Sequence, residues 1–361
     1  MKTVALLTEG FFPFVVGGME KHSYYLAKYF AKNKIEIDLF HTSLKNSSSI
    51  DKYFTSHELK YIKFVYVKFP SLPWFPGHYI FESYILSKHY CVKIKNKKYD
   101  IIYAQGFTSW YYLKIEPLKK NIITNLHGLE MFQETCSIKS YFENFLLRIP
   151  AKFILKNSFN TISLGGLLTG IIKNYIQKNS LVHIIPNGVD LNVFDCKISK
   201  MNLDEKLKFI FIGRVENRKG IKELTEFISS VVHTNVATFS FIGPIATKKQ
   251  INDDNVKYYG LIKDTKTIRD ILIGSDILVC PSFSEGMPTV ILEAMACGCA
   301  ILATNVGANR DLIDETNGWI ISTPPTVPKL NKVWLQILSN NGSIGSKKEG
   351  SIKKVEKFSW D

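Results

Sequence analysis

The chain has 361 residues, of which 45% are hydrophobic and 22% charged, a composition typical of a soluble globular protein. This length exceeds one ordinary hydrophobic core and suits two domains of about 180 residues. The apolar run at the start is too short for a signal sequence, and no run reaches the roughly 18 apolar residues of a membrane span. Six cysteines without a C-x-x-C spacing favour a reduced, cytoplasmic compartment, and the apolar surroundings of three predict buried thiols: Cys280, Cys297 and Cys299.

The net charge of +14 is unevenly distributed along the chain. Residues 1–180 carry 24 Lys and Arg against 12 Asp and Glu, whereas residues 181–361 carry 22 against 20. The basicity therefore belongs to the first half. Such one-sided charge indicates a polyanionic partner, either an anionic membrane surface or nucleic acid.

Short apolar runs alternate with amphipathic stretches, which is typical of parallel sheets covered by helices. In the first half the predicted strands are Val4–Leu7, Ile35–Phe40, Lys63–Val67, Ile101–Ala104, Ile122–Asn125, Thr161–Ser163 and Val182–Ile185. The predicted helices there are Glu20–Ala31, Tyr79–Lys95, Ser140–Leu155 and Leu167–Tyr175. The second half restarts the pattern with strands at Lys208–Ile212, Thr238–Ile242, Val256–Tyr259, Ile277–Cys280 and Ile301–Ala303, and with a helix near Ile221–Val232.

The restart of the pattern predicts an α/β protein of two Rossmann-like parallel-sheet domains, residues 1–187 and 188–361. A polar linker is expected around Asp195–Lys206. Because open parallel sheets bind ligands beyond the carboxyl ends of their strands, we expect the site in a cleft between two facing domains. The tail from Ser339 to Lys354 is rich in Ser, Gly, Asn and Lys and is predicted to be a mobile loop.

Two glutamates eight residues apart, Glu285 and Glu293, lie on either side of a predicted helix start. Pro288 suits a first helical turn, where its missing N–H is not needed. The helix is apolar almost all round, which predicts that it is buried: Val290, Ile291, Leu292, Ala294, Met295 and Ala296. A carboxylate such as Glu293 is rarely retained in so apolar a helix without a partner.

The free N–H groups at this helix start would bind an anion. Together with the two carboxylates they predict a site for a phosphorylated, polyhydroxylated ligand such as a sugar nucleotide. The alternative is a buried structural glutamate beside an ordinary loop acid.

The E-x7-E stretch resembles the signature of the retaining glycosyltransferases of family 4, and other short motifs agree with it in order along the chain. They are Gly17-Gly18-Met19-Glu20, His127-Gly128, Pro186-Asn187-Gly188-Val189-Asp190 with Phe194, Gly213-Arg214, Lys219-Gly220, Pro281-Ser282 and Thr304-Asn305-Val306-Gly307. The resemblance runs from Thr3 to about Trp360. It implies the GT-B fold, with the acceptor in the first domain and the nucleotide sugar in the second.

The resemblance also implies roles for single residues. The catalytic residues would be Glu285, His127, Arg214 and Lys219. The donor-binding residues would be Gly17, Gly18, Arg214, Lys219, Ser282, Gly286, Met287, Pro288, Thr289 and Glu293. In this reading Glu293 binds the ribose, Glu285 the donor sugar, and the two cations the diphosphate.

Each of these assignments has a plainer alternative. Gly17 and Gly18 could form an ordinary strand–helix connection, and a lone histidine such as His127 is more often structural. Arg214 and Lys219 could be solvated loop cations, which is how we interpret the neighbouring Arg218.

No Asp-x-Asp occurs in the sequence, although the metal-dependent glycosyltransferases use that spacing to hold Mn²⁺ or Mg²⁺. We therefore expect no metal and no cofactor, with a UDP- or GDP-sugar as the donor substrate. The motifs of dehydrogenases, P-loop NTPases and serine hydrolases are also absent from the sequence.

Two segments depart from the family pattern. The chain reads Val306-Gly307-Ala308-Asn309-Arg310-Asp311 where members commonly read V-G-G-x-P-E, which leaves the local turn and any base or ribose contact open. The family's F-S-W is present as Phe358-Ser359-Trp360, but the terminal cross-over helix that normally follows it is absent from this sequence. Either domain closure is weakened or the sequence is shortened.

The stretch Tyr61–Lys98 combines aromatic and basic residues: Trp74, Phe75, Tyr79, Phe81 and Tyr84, then Lys88, Lys93, Lys95, Lys97 and Lys98. One interpretation is a segment lying in a membrane interface. The other is a core-facing helix with a solvated lysine face.

The sequence thus predicts a retaining hexosyl-type glycosyltransferase that acts on a glycan or lipid-linked acceptor in bacterial envelope polysaccharide or lipopolysaccharide assembly. It is expected to be cytoplasmic and peripheral on the inner face of the membrane. A non-catalytic sugar-nucleotide-binding paralogue is the alternative. Nucleic-acid binding ranks last and is not expected, because no recognised nucleic-acid motif accompanies the charge.

Overall fold

The structure is a computed structural model that describes residues 2–43, 53–194 and 206–361. The chain divides into two compact units. The first comprises Met1–Phe132 and Lys139–Pro186, and the second comprises Gln133–Ile138 and Asn187–Asp361. The predicted polar linker falls almost wholly outside the described residues, which resume at Lys206.

The first unit is a seven-stranded, all-parallel sheet with helices in its connections. Its strands are β1 (Thr3–Leu7), β2 (Glu36–His41), β3 (Ile62–Tyr66), β4 (Ile101–Gln105), β5 (Ile122–Asn125), β6 (Asn160–Ser163) and β7 (Leu181–Ile184). Its helices are α1 (Gly18–Lys32), α2 (Ser56–Leu59), α3 (His78–Ile94), α4 (Trp110–Ile115), α5 (Ile138–Asn157) and α6 (Gly166–Lys173). The predicted strands and helices of the first half are confirmed, to within one or two residues at each end.

The second unit is a six-stranded parallel sheet. Its strands are β8 (Leu207–Ile212), β9 (Ala237–Ile242), β10 (Val256–Tyr258), β11 (Ile277–Cys280), β12 (Ala300–Thr304) and β13 (Gly318–Ile321). Its helices are α7 (Leu191–Phe194), α8 (Ile221–Val231), α9 (Thr265–Ile273), α10 (Thr289–Ala296), α11 (Asn309–Leu312), α12 (Val327–Ser339) and α13 (Ser343–Val355). The strands and the helix predicted here are confirmed as well.

Both sheets have the same Rossmann-like strand order. The first runs β3-β2-β1-β4-β5-β6-β7 and the second β10-β9-β8-β11-β12-β13. The order reverses between β1 and β4 in the first sheet and between β8 and β11 in the second. In doubly wound sheets the ligand site lies at this reversal, beyond the carboxyl ends of the strands. In the second unit the loops after β8 and β11 lie at this position.

An aromatic cluster anchors the second sheet to α12. The Trp334 ring lies 5.5 Å from Phe209 on β8, 6.0 Å from Phe227 on α8 and 6.2 Å from Phe239 on β9, measured between centroids. Buried aromatic rings supply much of a core's stabilisation because of their large apolar area. This cluster fixes β8, whose carboxyl end carries part of the candidate site.

The predicted mobile loop at Ser339–Lys354 is wrong, because most of this segment is helix α13. Its buried residues recur at steps of four, three and four: Ile344, Lys348, Ser351 and Val355. This stripe contacts α10 and β12, and the Lys348 Nζ donates to Asp276 Oδ1 at 2.9 Å. The polar composition did not indicate a helix, because two residues of the buried stripe are polar. They are Ser351 and Lys348, and Lys348 is paired with Asp276.

None of the helices in the described parts of the chain is both long and apolar enough to span a bilayer.

Candidate functional site

The two glutamates of the E-x7-E stretch are both buried, each about 5% exposed. Glu285 lies in the loop between β11 and α10, as predicted. Glu293 lies within α10, whose residues from Ile291 to Ala296 are buried. Pro288 precedes the helix as its N-cap, one position earlier than expected, and α10 begins at Thr289. Two buried carboxylates thus lie in the segment that follows β11, one in the loop and one in α10.

The Glu285 carboxylate is held by two donors. The Lys219 Nζ lies 2.6 Å and the Ser282 Oγ 2.7 Å from the same oxygen, Oε1. An Arg218 nitrogen lies 4.0 Å from Oε2. Burial would raise the pKa of Glu285, but the charges of Lys219 and Arg218 and the two hydrogen bonds hold its pKa below the ordinary value. Glu285 is therefore ionised at neutral pH.

The negative charge of Glu285 also affects the nearby thiol of Cys280. Burial first, and then the Glu285 carboxylate, raise the pKa of the Cys280 thiol to about 12. Cys280 is a buried neutral thiol, and Cys297 and Cys299 are buried as well. The prediction of three buried thiols is confirmed.

The cations of the loop after β8 differ from the prediction. The side chains of Arg214, Arg218 and Lys219 are 61%, 26% and 18% exposed, respectively. Arg218 was interpreted as a solvated loop cation, and this is wrong. Its Nε lies 2.7 Å from Glu216 Oε2, and its guanidinium also faces Glu285. Arg214 also pairs with Glu216, and its Nε lies 3.1 Å from Glu216 Oε1. Its side chain nevertheless remains largely exposed.

Close backbone contacts explain why Arg218 turns inward. Gly220 has a φ of +67°, and a Cβ there would lie 1.9 Å from the Pro281 carbonyl oxygen. The Phe283 N–H donates to the Arg218 carbonyl at 2.7 Å. The loops after β8 and β11 are therefore joined through their backbones, which requires glycine at position 220.

The segment that departs from the family pattern forms a tight turn against the Glu285 loop. Gly307 has a φ of +53°, and a Cβ there would lie 2.2 Å from the Gly286 carbonyl oxygen. The Ala308 N–H donates to that same carbonyl at 2.8 Å. Asn309 is fully buried, and its amide nitrogen donates to the Thr304 carbonyl at 2.9 Å. The turn thus forms without the usual second glycine.

Two side chains that sequence reasoning gave no role brace the same loop. Gln133, which belongs to the second unit, donates through Nε2 to the Glu285 carbonyl at 2.6 Å, and its Oε1 accepts from the Gly307 N–H at 3.2 Å. The Asn187 side-chain amide donates to the Met287 carbonyl at 2.7 Å. Both contacts join residues far apart in sequence. Only the Pro186–Asp190 motif offered a signal for one of them.

The predicted residues of the first unit lie beyond the carboxyl ends of its strands. Gly17 is the N-cap of α1, after the loop that follows β1, and Gly18 is the first residue of that helix. A Cβ at Gly17 would lie 2.1 Å from an oxygen of the Glu20 side chain. Glu20 therefore fills the space at the helix start that a larger residue 17 would need.

His127 follows β5 in a left-handed conformation, with a φ of +56°. Its N–H donates to Asn125 Oδ1 at 2.9 Å, and its ring lies edge-to-face with His22 at 5.1 Å. Its Nε2 is buried and has no hydrogen-bond partner among the residues that the structure describes. Burial first, and then His22, lower the pKa of His127 well below 6.5, so the ring is neutral at physiological pH.

The structure thus brings one set of predicted residues together in the second unit, around the carboxyl ends of β8 and β11: Arg214, Lys219, Ser282, Glu285, Gly286, Met287, Pro288, Thr289 and Glu293. It places Gly17, Gly18 and His127 in the first unit. Within the described ranges, no three or more His, Cys, Asp or Glu side chains are grouped so that they could hold a metal ion.

Comparison with known proteins finds glycosyltransferases similar to this chain. The chain is 34% identical over 141 residues to a putative teichuronic acid biosynthesis glycosyltransferase of Bacillus subtilis, covering 37% of this chain and 35% of the relative. It is 26% identical over 254 residues to the UDP-Gal:alpha-D-GlcNAc-diphosphoundecaprenol alpha-1,3-galactosyltransferase of Escherichia coli, covering 63% of this chain and 64% of that enzyme. The matched part of this chain therefore spans about a third of the length of the Bacillus subtilis relative and somewhat less than two thirds of the length of the Escherichia coli enzyme.

A solved structure extends the likeness over the whole chain. Sucrose-phosphate synthase from Thermosynechococcus elongatus superposes with a TM-score of 0.78 at 17% identity, covering 100% of this chain and 96% of that one. Together with the two parallel sheets, this confirms the expected GT-B fold.

Two family descriptions match successive parts of the chain. Glycosyltransferase Family 4 matches residues 16–193, and Glycosyl transferases group 1 matches residues 206–340. These matches include every motif that carried the resemblance except Phe194 and Phe358-Ser359-Trp360. The chain belongs to glycosyltransferase family 4.

Proposed function

We propose that this protein transfers a sugar from a nucleoside diphosphate sugar to a glycan or lipid-linked acceptor, with retention of anomeric configuration. The observation that carries the proposal is the Lys219–Glu285–Ser282 cluster at the strand-order reversal of the second sheet. This is the place where sheets of this topology bind nucleotides.

Lys219 of this cluster and the nearby Arg214 would stabilise the donor diphosphate. Lys219 is already oriented by Glu285, so little reorganisation is needed when negative charge builds on the leaving phosphate. Arg214, with its exposed guanidinium, can present two N–H groups to phosphate oxygens. With these two cations and no Asp-x-Asp in the sequence, we propose that transfer needs no metal.

The two glutamates would bind different parts of the donor. Glu285 is ionised and lies at the mouth of α10, so it can accept hydrogen bonds from hydroxyls of the transferred sugar. Glu293 lies further along the helix and is assigned to the ribose hydroxyls. The backbone N–H groups of Gly286, Met287 and Thr289, together with Ser282, would contact sugar and phosphate.

Retention would follow from reaction on one face of the sugar, with the leaving phosphate helping to deprotonate the acceptor hydroxyl. No enzymatic nucleophile is then required. His127, neutral and with a buried ring nitrogen free among the described residues, would offer a hydrogen bond to the reacting sugar and not a charge. The first unit would hold the acceptor.

The names of the relatives suggest the acceptor class. The Escherichia coli relative is named for a sugar on diphosphoundecaprenol and for UDP-Gal as donor. We propose by analogy a lipid-linked saccharide acceptor in envelope polysaccharide assembly, with the protein peripheral on the cytoplasmic face of the membrane.

A thermal-shift screen with UDP-, GDP- and ADP-sugars in excess EDTA tests the donor. A ligand at 100 times its Kd stabilises the folded state by about 2.7 kcal/mol, which raises the melting temperature. A donor found in this way is then incubated with the protein, and release of nucleoside diphosphate is measured. Binding without hydrolysis or transfer would indicate the non-catalytic paralogue. Absence of any shift would contradict the proposed function.

A further inference from the structure

The first half of helix α5 presents an apolar stripe to solvent. Phe142, Phe145 and Ile149 are all more than half exposed, and they recur at steps of three and four along the helix. The second half is different, because Pro150, Ala151, Ile154 and Leu155 are buried against the unit. Large apolar side chains in a helical row on the surface mark an interaction site more strongly than scattered ones do.

A second group of exposed aromatic residues lies beside this stripe. Trp74 is 80% exposed, and Phe81, in the first turn of α3, is 58% exposed. A Cβ at Gly77, between them in sequence, would lie 3.6 Å from a methyl group of Leu146 on α5. The Glu143 charge on α5 also raises the pKa of Tyr79, although burial contributes more. The start of α3 and the first half of α5 are therefore neighbours.

We define the aromatic face as Trp74, Phe81, Phe142, Phe145 and Ile149. Three of these exposed side chains lie on the first half of α5, and the other two lie in or just before the first turn of α3, which contacts α5 at Gly77 and Leu146. Tyr84 is not part of this face, since its ring packs against Trp110 at 5.1 Å and Tyr111 at 5.6 Å. The aromatic stretch singled out in the sequence is thus divided, and α5 supplies the other half of the surface.

Exposed lysines lie on the two helices that carry the aromatic face: Lys139, Lys152 and Lys156 on α5, and Lys88 and Lys93 on α3. The Glu143 carboxylate partly neutralises the charge of Lys139, whose Nζ lies 3.9 Å from Glu143 Oε1. Lys97 has a different role, because its Nζ lies 3.1 Å from the buried carboxylate of Asp38. The remaining lysines leave both helices basic, in the half of the chain that carries nearly all of the net charge.

We propose that the aromatic face docks on an anionic phospholipid bilayer, with Phe142, Phe145 and Ile149 entering the interface and the lysines contacting lipid headgroups. Aromatic and aliphatic side chains beside lysines suit the boundary between acyl chains and anionic headgroups. A protein partner is less favoured because Lys is depleted at the core of protein interfaces. The proposal rests on the proposed function for its purpose, which is to bring the protein to a lipid-borne acceptor.

Flotation of the full chain with lipid vesicles tests the proposal. Vesicles of phosphatidylcholine alone are compared with vesicles containing phosphatidylglycerol, at low and high salt. The test variant replaces Phe142, Phe145 and Ile149 by serine. The control is Leu335→Ser, since Leu335 is 64% exposed on α12 of the second unit. Unchanged melting temperatures show that both variants fold.

We expect wild type and Leu335→Ser to float with the anionic vesicles, less so at high salt, and the triple variant to lose more than about tenfold in partition coefficient. Equal flotation of wild type and the triple variant would overturn the proposal. Equal flotation with neutral vesicles, or none with either, would also overturn it. A dimer that the triple variant abolishes would assign the aromatic face to a second copy instead.

Measuring donor binding by thermal shift distinguishes a failure of the membrane proposal from a failure of the proposed function. The triple variant should retain the thermal shift produced by the nucleotide sugar. If no nucleotide sugar raises the melting temperature of the wild-type protein, and the protein still floats with anionic vesicles, the proposed function is contradicted. The assignment of the aromatic face to the membrane is then still supported.

Discussion

The two units place very different groups at equivalent edges of similar sheets. In the second unit Lys219 and Arg218 surround the buried Glu285 carboxylate beyond β8 and β11, which makes a cluster of opposite charges. In the first unit the neutral His127 ring lies edge-to-face with the His22 ring beyond β5. The shared topology therefore fixes where a site lies, and the side chains decide what it can bind. A charged cluster suits a diphosphate, whereas a neutral ring suits a sugar or an uncharged acceptor hydroxyl.

The largest expected effect comes from Lys219→Met. The variant loses the cation that we propose binds the diphosphate, and it removes the principal partner of a buried carboxylate, so turnover should fall on the order of 10³-fold. The kcat for donor consumption is the measurement. Lys222→Met is the control, because Lys222 is 75% exposed on α8 and pairs only loosely with Glu226 at 3.9 Å. Equal turnover of Lys219→Met and wild type would remove Lys219 from the mechanism.

The ion pair between Lys348 and Asp276 allows a structural charge pair to be compared with the pair that we assign to the site. Lys348 and Asp276 are 5% and 13% exposed, and their charged atoms lie 2.9 Å apart. Lys348→Ala leaves Asp276 without this partner and should cost about 3 kcal/mol in the free energy of unfolding, measured in urea. Nucleotide affinity under folding conditions should not change. A loss of affinity without a loss of stability would show that this pair belongs to the site.

Glu293→Ala should weaken nucleotide binding by about 1.5–3 kcal/mol, because it removes the carboxylate that we propose accepts hydrogen bonds from the ribose hydroxyls. Glu285→Ala should instead lower turnover more than nucleotide affinity, since Glu285 lies at the mouth of α10. Calorimetric titration with nucleoside diphosphate, combined with kcat measurements, distinguishes the two. Unchanged affinity in a folded Glu293→Ala protein would contradict the ribose assignment.

The neutral His127 ring predicts the smallest effect, a dependence of stability on pH. The pKa of His127 is lowered in the folded state, so below about 6.5 the unfolded chain takes up a proton that the folded chain does not. Stability should therefore fall as the pH drops through this range. His127→Asn, which tolerates the left-handed backbone, should reduce that fall between pH 7.5 and 5.5 in urea unfolding. An identical fall in both proteins would place the acid sensitivity elsewhere, for example at His41, whose pKa is lowered by burial to about 4.

The strands and the E-x7-E helix were predictable because their signals are local. Apolar runs and the spacing of Glu285 and Glu293 lie within a few residues of sequence. The inward orientation of Arg218 was not predictable, since it depends on the approach of Gly220 to Pro281. The contacts of Gln133 with Glu285 and Gly307 likewise join positions more than 150 residues apart. Composition alone was misleading at α13, where a buried lysine belongs to the helical stripe.

Calorimetric titration of the full-length protein with UDP- and GDP-sugars in excess EDTA tests the central claim most directly. If Arg214 and Lys219 hold the diphosphate, one of these donors should bind without metal, and Lys219→Met should weaken that binding by at least about tenfold. Binding that appears only after Mn²⁺ or Mg²⁺ is added, or that Lys219→Met leaves unchanged, would contradict the account.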